Sequence, residues 1–185
     1  MRDVNWTANS RGIEYHFYIH GVIECSEDYT DLLDTLYTAS EEDILYMHIN
    51  TGGGSLDTTV EIIHAMAQTK ASIITCADGR VASAGSLLFF SGHGFKIGEF
   101  CEVMLHDGSG GDFGKVNENL KSAQFTSNRL ANIYRKVYGP FFTEAEVDGI
   151  LEGKDLYLTA DEVGDRLSVH NEKMLEEEEA DANEE

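Results

Sequence analysis

The sequence predicts an α/β fold in a single domain. Strand-like and helix-like segments alternate along the chain, which is typical of α/β proteins. With 185 residues, 42% of them hydrophobic, the chain is long enough to bury one sizeable core. Glycines lie where predicted strands meet predicted helices, the places at which α/β proteins usually carry their active sites.

The first half of the chain contains three strand–helix pairs. The first strand is rich in β-branched and aromatic residues and has a turn at Gly21. The helix after it has Leu32, Leu33 and Leu36 at helical spacing. The predicted strands are residues 13–24, 43–50 and 71–79, and the helices that follow them lie in residues 28–40, 56–69 and 79–92.

The second half begins with a strand that runs into the glycine-rich loop of 101–114. A long polar helix over 115–138 follows, with a sparse apolar stripe, and Pro140 ends it. The stripe consists of Leu120, Phe125, Leu130, Ile133 and Val137. The remaining predicted elements are a helix at 143–153, a strand at 155–159 and a helix at 160–167.

The formal charge of −21 argues against direct binding to nucleic-acid phosphates or to an anionic membrane. Seven of the last ten residues are acidic, so we expect a disordered acidic tail over 171–185 after a domain over 1–170. No segment reaches the roughly 18 consecutive apolar residues of a membrane span, and the start lacks a secretory signal. The three cysteines are expected to be reduced, which predicts a cytoplasmic protein.

Three polar or glycine-rich features lie at the ends of predicted strands. Residues 49–55, INTGGGS, contain three consecutive glycines, whose backbone N–H groups have no Cβ atom beside them. The segment is either a simple tight turn or a site that receives an oxyanion. Ser83 lies between Ala82 and Ala84 near a helix start, and His106 ends an apolar strand. A serine needs a base to become nucleophilic, and the histidine needs a third group to fix its tautomer. Many acids are available for that role, and no Cys/His spacing resembles a metal site.

Four stretches follow one another in the order and at the separations typical of one enzyme family. They are HINTGGGS, ASAGSLL, VMLHDGSGG and DLYLTADE. They resemble the proteolytic subunit of the Clp protease, a family of serine peptidases, over residues 13–165. The resemblance implies an α/β fold of the ClpP/crotonase-like type, with stacked β/α units and a protruding handle helix and strand.

The resemblance also implies roles for individual residues. Ser83 matches the family's nucleophile, His106 its general base and Asp155 the acid of its triad. The spacing from Ser83 to His106, 23 residues, is slightly shorter than usual, and the 49 residues from His106 to Asp155 fit without a gap. Gly54 and Ala84 match the positions of the two oxyanion-hole amides.

Several positions depart from the family pattern. Gly52 stands where the family has proline, and Asp107-Gly108 replaces Gln-Pro after the histidine. Asp107, Asp161 and Asp165 compete with Asp155 for the role of the third residue. The match fades after residue 160.

The resemblance further implies two stacked seven-membered rings, a homo-oligomer that encloses the active sites. An ATP-driven AAA+ unfoldase would feed unfolded polypeptides to them, and the chain itself would need no cofactor and no metal. The helix over 115–138 then corresponds to the handle between rings. Phe125, Tyr134 and Tyr138 on this helix are expected to pack against another subunit; the alternative is that the apolar stripe packs on its own domain.

Two other functions stay open at this point. A crotonase-type enzyme uses a glycine amide to hold the oxyanion of an acyl-CoA thioester, but it needs no serine triad. A catalytically silent ring subunit would serve assembly alone. The presence of Ser83, His106 and Asp155 favours the peptidase over both.

Overall fold

The computed structural model describes residues 5–8, 12–109 and 115–182. The chain divides into two compact units, one of residues 1–104 with 157–163 and one of residues 105–156 with 164–185. The mixed α/β architecture confirms the predicted fold class. The domain boundary predicted after residue 170 stays a prediction.

A seven-stranded sheet forms the centre of the first unit. Its strands are β1 (Asn5–Ala8), β2 (Ile13–Ile23), β3 (Ile44–Gly54), β4 (Ser72–Ala82), β5 (Gly94–Ile97), β6 (Glu102–Leu105) and β7 (Leu156–Thr159). The order across the sheet is β1-β2-β3-β4-β6-β7, with β5 pairing separately with β4. Strand β1 is antiparallel to β2, whereas β3, β4, β5 and β6 pair in parallel with their partners. The strands β1 and β5 are absent from the predicted elements.

Helices connect the parallel strands, as parallel pairing requires. They are a 3₁₀ turn (Ser26–Tyr29) followed by α1 (Thr30–Thr38), then α2 (Leu56–Met66) and α3 (Ala84–Phe89). Along β3 the side chains of Leu45, Met47 and Ile49 are fully buried, in the alternation that a strand imposes. Ser55 caps α2 by accepting a hydrogen bond from the Thr58 backbone N–H at 3.3 Å, so the helix begins directly after the glycines.

Two irregularities shape the ends of the central strands. The register between β2 and β3 shifts between His20 and Val22, at Gly21, whose φ is +71°. The turn predicted at Gly21 is therefore wrong: the residue is a bulge within a strand that continues to Ile23. The glycines after Thr51 also belong to a strand, since β3 extends to Gly54 and pairs it with Ile23.

The second unit is helical. It contains α4 (Val116–Tyr138), α5 (Glu144–Leu151) and α6 (Ala160–Ala182) from residue 164 onward. Helix α4 ends two residues before Pro140, as predicted. A capping box begins α5: Thr143 accepts from the Glu146 backbone N–H, and Glu146 accepts from the Thr143 backbone N–H.

The large apolar side chains of α4 fall into two groups. Leu130, Tyr134 and Tyr138 are buried within the chain, whereas Leu120 and Phe125 are 64% and 73% exposed. The expectation that Tyr134 and Tyr138 pack against another subunit is therefore wrong, because the chain itself buries them. That Phe125 packs against another subunit stays a prediction.

The acidic end of the chain is helical as far as Ala182, where composition predicts a disordered tail. Glutamate has a high helix propensity, and residues 171–182 extend a helix that is already packed at Val163 and Leu167. Residues 183–185 lie outside the described residues. No helix within the described ranges is both long and apolar enough to cross a bilayer.

Candidate active site

Ser83 occupies a sharp turn between strand β4 and helix α3. Its φ is +55° and its ψ −124°, and within the described ranges it is the one non-glycine residue with positive φ. Such a conformation stores on the order of 1–3 kcal/mol of strain and persists only where surrounding contacts hold it. The Ser83 N–H donates to the Met104 carbonyl at 2.9 Å, and the Ser83 carbonyl accepts from the Ser86 hydroxyl at 2.7 Å. A serine on a strained strand-to-helix turn is the arrangement by which α/β hydrolases expose a nucleophile.

The glycine loop at the end of β3 lies directly against this turn. A Cβ atom on Gly53 would stand 2.6 Å from the Ser83 Cβ, 2.9 Å from the Ala82 carbonyl oxygen and 3.1 Å from the Ala84 nitrogen. Its φ of +100° also favours glycine. Only a residue without a side chain allows the loop to approach Ser83 and the Ala84 amide so closely.

Thr51 holds the glycine loop in shape. Its buried hydroxyl donates to the Gly21 carbonyl and accepts the Gly53 backbone N–H at 3.0 Å. A Cβ on Gly54, whose φ is +151°, would stand 2.7 Å from the Ile23 nitrogen and closer still to the Ile23 carbonyl oxygen. The loop is therefore fixed from two sides, by a buried hydroxyl and by the neighbouring strand.

His106 follows β6 in the second unit and is half-buried. Its carbonyl oxygen accepts a hydrogen bond from the Tyr134 hydroxyl at 2.9 Å. The Asp107 carboxylate accepts the Gly108 backbone N–H at 2.8 Å. Asp107, one of the acids that compete with Asp155, thus forms a hydrogen bond with the backbone of its own segment.

Asp155 lies in the second unit, directly before β7, and is exposed. The other two competing acids, Asp161 and Asp165, are exposed on α6. The structure thus brings Gly53, Ser83 and Ala84 together within the first unit. The joining of Ser83 with His106 and Asp155 into a triad stays a prediction, as do the oxyanion roles of Gly54 and Ala84.

Two of the three cysteine thiols are buried. Burial raises the pKa of the Cys76 thiol to about 11 and also raises that of Cys101, so neither is a ready thiolate. Cys25 is exposed and unbridged. In the part of the chain that the structure describes, no group of three His, Cys, Asp or Glu side chains could hold a metal ion.

A separate polar cluster lies across strands β2, β3 and β4. The His16 Nδ1 and His48 Nε2 atoms are 3.0 Å apart, and the His48 Nδ1 atom is 2.6 Å from an Asp78 carboxylate oxygen. Burial lowers the pKa of His16, and the neighbouring His48 lowers it further. Tyr46 stacks on His16 with the ring centres 4.7 Å apart. None of these residues is a candidate for the serine chemistry.

Comparison with known proteins identifies the family. The model of the Clp protease family matches residues 17–165, which is more than half of the chain. The chain belongs to the Clp protease family. The resemblance drawn from the four sequence stretches is thereby confirmed.

Individual Clp protease subunits match at modest identity. The chain is 32% identical over 131 residues to the ATP-dependent Clp protease proteolytic subunit 1 of Leifsonia xyli subsp. xyli, covering 68% of this chain and 64% of the relative. It is 33% identical over 116 residues to the chloroplastic ATP-dependent Clp protease proteolytic subunit 3 of Arabidopsis thaliana, covering 59% of this chain and 37% of the relative. The matches thus span less than two thirds of the length of these curated relatives.

The sequence analysis did not identify two residues that support the candidate active site. Gly53 is the middle glycine of TGGG, and nothing in the local pattern distinguishes it from Gly52 or Gly54. In the sequence, Tyr134 is only one apolar position on a long predicted helix. Its contact with His106 joins residues that are 28 positions apart, so no local pattern indicates it. Both are recognisable only once distant segments are in contact.

Proposed function

We propose that this chain is a serine endopeptidase of the Clp type, with Ser83 as nucleophile, His106 as general base and Asp155 as the acid that orients the imidazole. The observation that carries the proposal is the strained Ser83 turn packed against the glycine loop. A structural serine gains nothing from positive φ, whereas a nucleophile gains exposure of its Oγ atom to the substrate.

In the proposed reaction the Ser83 Oγ atom attacks a peptide carbonyl while His106 takes the hydroxyl proton. Asp155 holds the imidazole in the right tautomer and stabilises its protonated form. His106 then gives its proton to the leaving amine, and water hydrolyses the acyl-enzyme by the same steps in reverse order.

The backbone amides of Gly54 and Ala84 are proposed to hold the tetrahedral oxyanion. The Gly53 N–H already donates to Thr51, so the amide next to it is the better placed for that role. The Ala84 nitrogen lies beside the loop, 3.1 Å from where a Cβ atom on Gly53 would stand. Removal of one such donor lowers turnover by about 10²–10³-fold.

The substrate is proposed to be unfolded polypeptide, bound as an extended strand. The backbone of residues 108–114 would pair with it and read little of its side-chain identity, giving low sequence specificity. Most of that segment, residues 110–114, lies outside the described residues. The relatives' names include the words ATP-dependent, and we propose a cytoplasmic homo-oligomer of two stacked heptameric rings served by an AAA+ unfoldase.

Labelling and hydrolysis together test the proposal. Wild-type protein should cleave a short fluorogenic peptide and react covalently with a fluorophosphonate probe, and Ser83→Ala should lose both activities completely. Ser91→Ala is the matched control, because Ser91 lies two residues beyond α3 and its hydroxyl donates to Leu87. Parallel assays of Asp155→Asn and Asp165→Asn decide which acid orients the histidine.

Three outcomes would contradict the proposal in different ways. Peptidase activity within a few-fold of wild type in Ser83→Ala would exclude the nucleophile assignment. Wild-type protein that assembles but neither cleaves nor reacts would be a silent subunit. Hydrolysis of acyl-CoA thioesters that survives Ser83→Ala would indicate the crotonase-type chemistry.

A further inference from the structure

Helix α4 contacts the backbone around His106 at two points. The Tyr134 hydroxyl donates to the His106 carbonyl at 2.9 Å, and the Tyr134 side chain is only 5% exposed. One turn earlier on the same helix, Leu130 packs on Gly108. A Cβ atom on Gly108 would stand 2.5 Å from the Leu130 Cδ1 atom. The helix therefore contacts the segment on both sides of Asp107.

Tyr134 is itself held in place. Its ring centre lies 5.1 Å from that of Tyr138, which is 1% exposed and packs in turn on Phe142. Burial, with a smaller contribution from the charge of Asp107, raises the pKa of Tyr134 to about 12. The phenol consequently remains protonated, and hence a hydrogen-bond donor, throughout the neutral pH range.

We propose that Tyr134 is a positioning residue for His106, acting through the His106 carbonyl to set where the imidazole stands. The inference rests on the proposed function of His106 as general base. Catalytic geometry is sensitive to displacement of about 1 Å, and a histidine at the end of a four-residue strand has little local structure of its own to hold it. Helix α4 supplies the missing support, with Tyr134 for the carbonyl and Leu130 for the following turn.

Tyr134→Phe tests the proposal, because it removes one hydroxyl and leaves the buried ring. We expect kcat to fall about 10- to 100-fold with KM within twofold, since substrate binding is untouched while the base is displaced. The rate at which the fluorophosphonate probe labels Ser83 should fall in parallel. The NMR titration of the His106 imidazole should also change.

Two control variants separate positioning from loss of stability. Tyr37→Phe makes the same chemical deletion on α1, where Tyr37 is exposed. Val147→Ala removes buried methyl groups from α5, in the same unit as Tyr134, and lowers the melting temperature without touching a hydrogen bond to His106. Both should keep wild-type kcat.

The outcomes distinguish this inference from the proposed function. If wild-type protein is active and Tyr134→Phe keeps kcat within twofold, or Val147→Ala loses as much kcat as Tyr134→Phe, the positioning role is refuted while the peptidase stands. If wild-type protein neither cleaves nor labels, the proposed function fails. The His106 titration then decides: an unchanged curve in Tyr134→Phe overturns the inference, and a changed one supports it.

Discussion

At the scale of single residues, the strained conformation of Ser83 depends on what stands beside it. The turn is held by the Met104 carbonyl, by Ser86 and by the close approach of Gly53. Strain of this kind persists because the surroundings over-determine it. Any side chain added between loop and turn should therefore release the serine from its conformation.

Gly53→Ala should abolish activity and lower stability. The added methyl would stand 2.6 Å from the Ser83 Cβ, in a backbone conformation with φ of +100° that alanine resists. We expect at least a 10²-fold loss of peptide hydrolysis, by analogy with loss of an oxyanion donor, together with a lower melting temperature.

Gly52→Ala provides the matched control for Gly53→Ala. A Cβ on Gly52 would meet only the end of the Arg80 side chain, at 3.8 Å, and its φ is not positive. Activity and melting temperature should stay near wild-type values, or rise slightly because alanine restricts the unfolded chain. Equal losses in the two variants would show that the whole loop, and not the Gly53 contact, matters.

At the scale of secondary-structure elements, an ion pair joins α5 to α6 within the second unit. Arg166 donates to both Glu146 carboxylate oxygens, at 2.6 and 3.2 Å, and also to the Phe141 carbonyl at 3.3 Å. Its guanidinium lies over the Phe142 ring, 4.6 Å from the centre. Glu146 also closes the capping box of α5, so one carboxylate serves a helix start and a helix–helix contact.

Glu146→Gln should destabilise the protein at neutral pH by about 1.5 to 3 kcal/mol, the usual range for hydrogen bonds to charged groups. The hydrogen bonds from Arg166 lower the pKa of Glu146 from 4.5 to about 2. Because the folded-state pKa is depressed, this stabilisation is complete above pH 4.5 and disappears as the pH falls towards 2.

Urea unfolding of wild type and Glu146→Gln at pH 7 and pH 3 measures the effect. The difference between the two proteins should be largest at pH 7 and should shrink at pH 3. Glu144→Gln is the control, since Glu144 lies in the same first turn but is exposed. A difference that does not depend on pH would contradict the assignment to the charged carboxylate.

At the scale of the whole molecule, the surface combines a strong negative charge with an uncovered aromatic side chain. The formal charge is −21, yet Phe125 on α4 is 73% exposed. A large apolar side chain in that position on an otherwise polar helix is typical of a contact surface between subunits. Leu130, which belongs to the predicted apolar stripe, packs on Gly108 within its own unit.

Phe125→Glu should reduce the size of the assembly and its peptidase activity together. A charge at an apolar contact between copies of an already acidic chain adds both desolvation and repulsion. Light scattering after size-exclusion chromatography, run beside the peptidase assay, measures both effects.

Gln124→Glu adds the same charge at the adjacent exposed position and serves as the control for Phe125→Glu. It should leave particle mass near that of wild type. An unchanged mass in Phe125→Glu would refute the role of this surface, and a fully active monomer of wild-type protein would refute the assembly itself.

Much of this protein is predictable from its sequence, because the signals are local. A short apolar run over 43–50 predicts β3, and the glycines followed by Ser55 and a helical period predict the start of α2. Pro140 marks the end of α4 for the chemical reason that proline cannot continue a helix. Short motifs in a fixed order predict the family, and the match of the Clp protease family model to residues 17–165 confirms it.

Only the tertiary structure decided which residues support the candidate site. Gly53 differs from its neighbours because Ser83, 30 residues away, lies against it, and Tyr134 matters because it reaches the backbone of His106. The bulge at Gly21 exists because Thr51 and Gly54 meet that strand from the next one. Periodicity and composition describe a segment and its immediate neighbours, whereas these contacts arise from the packing of segments that are distant in the chain.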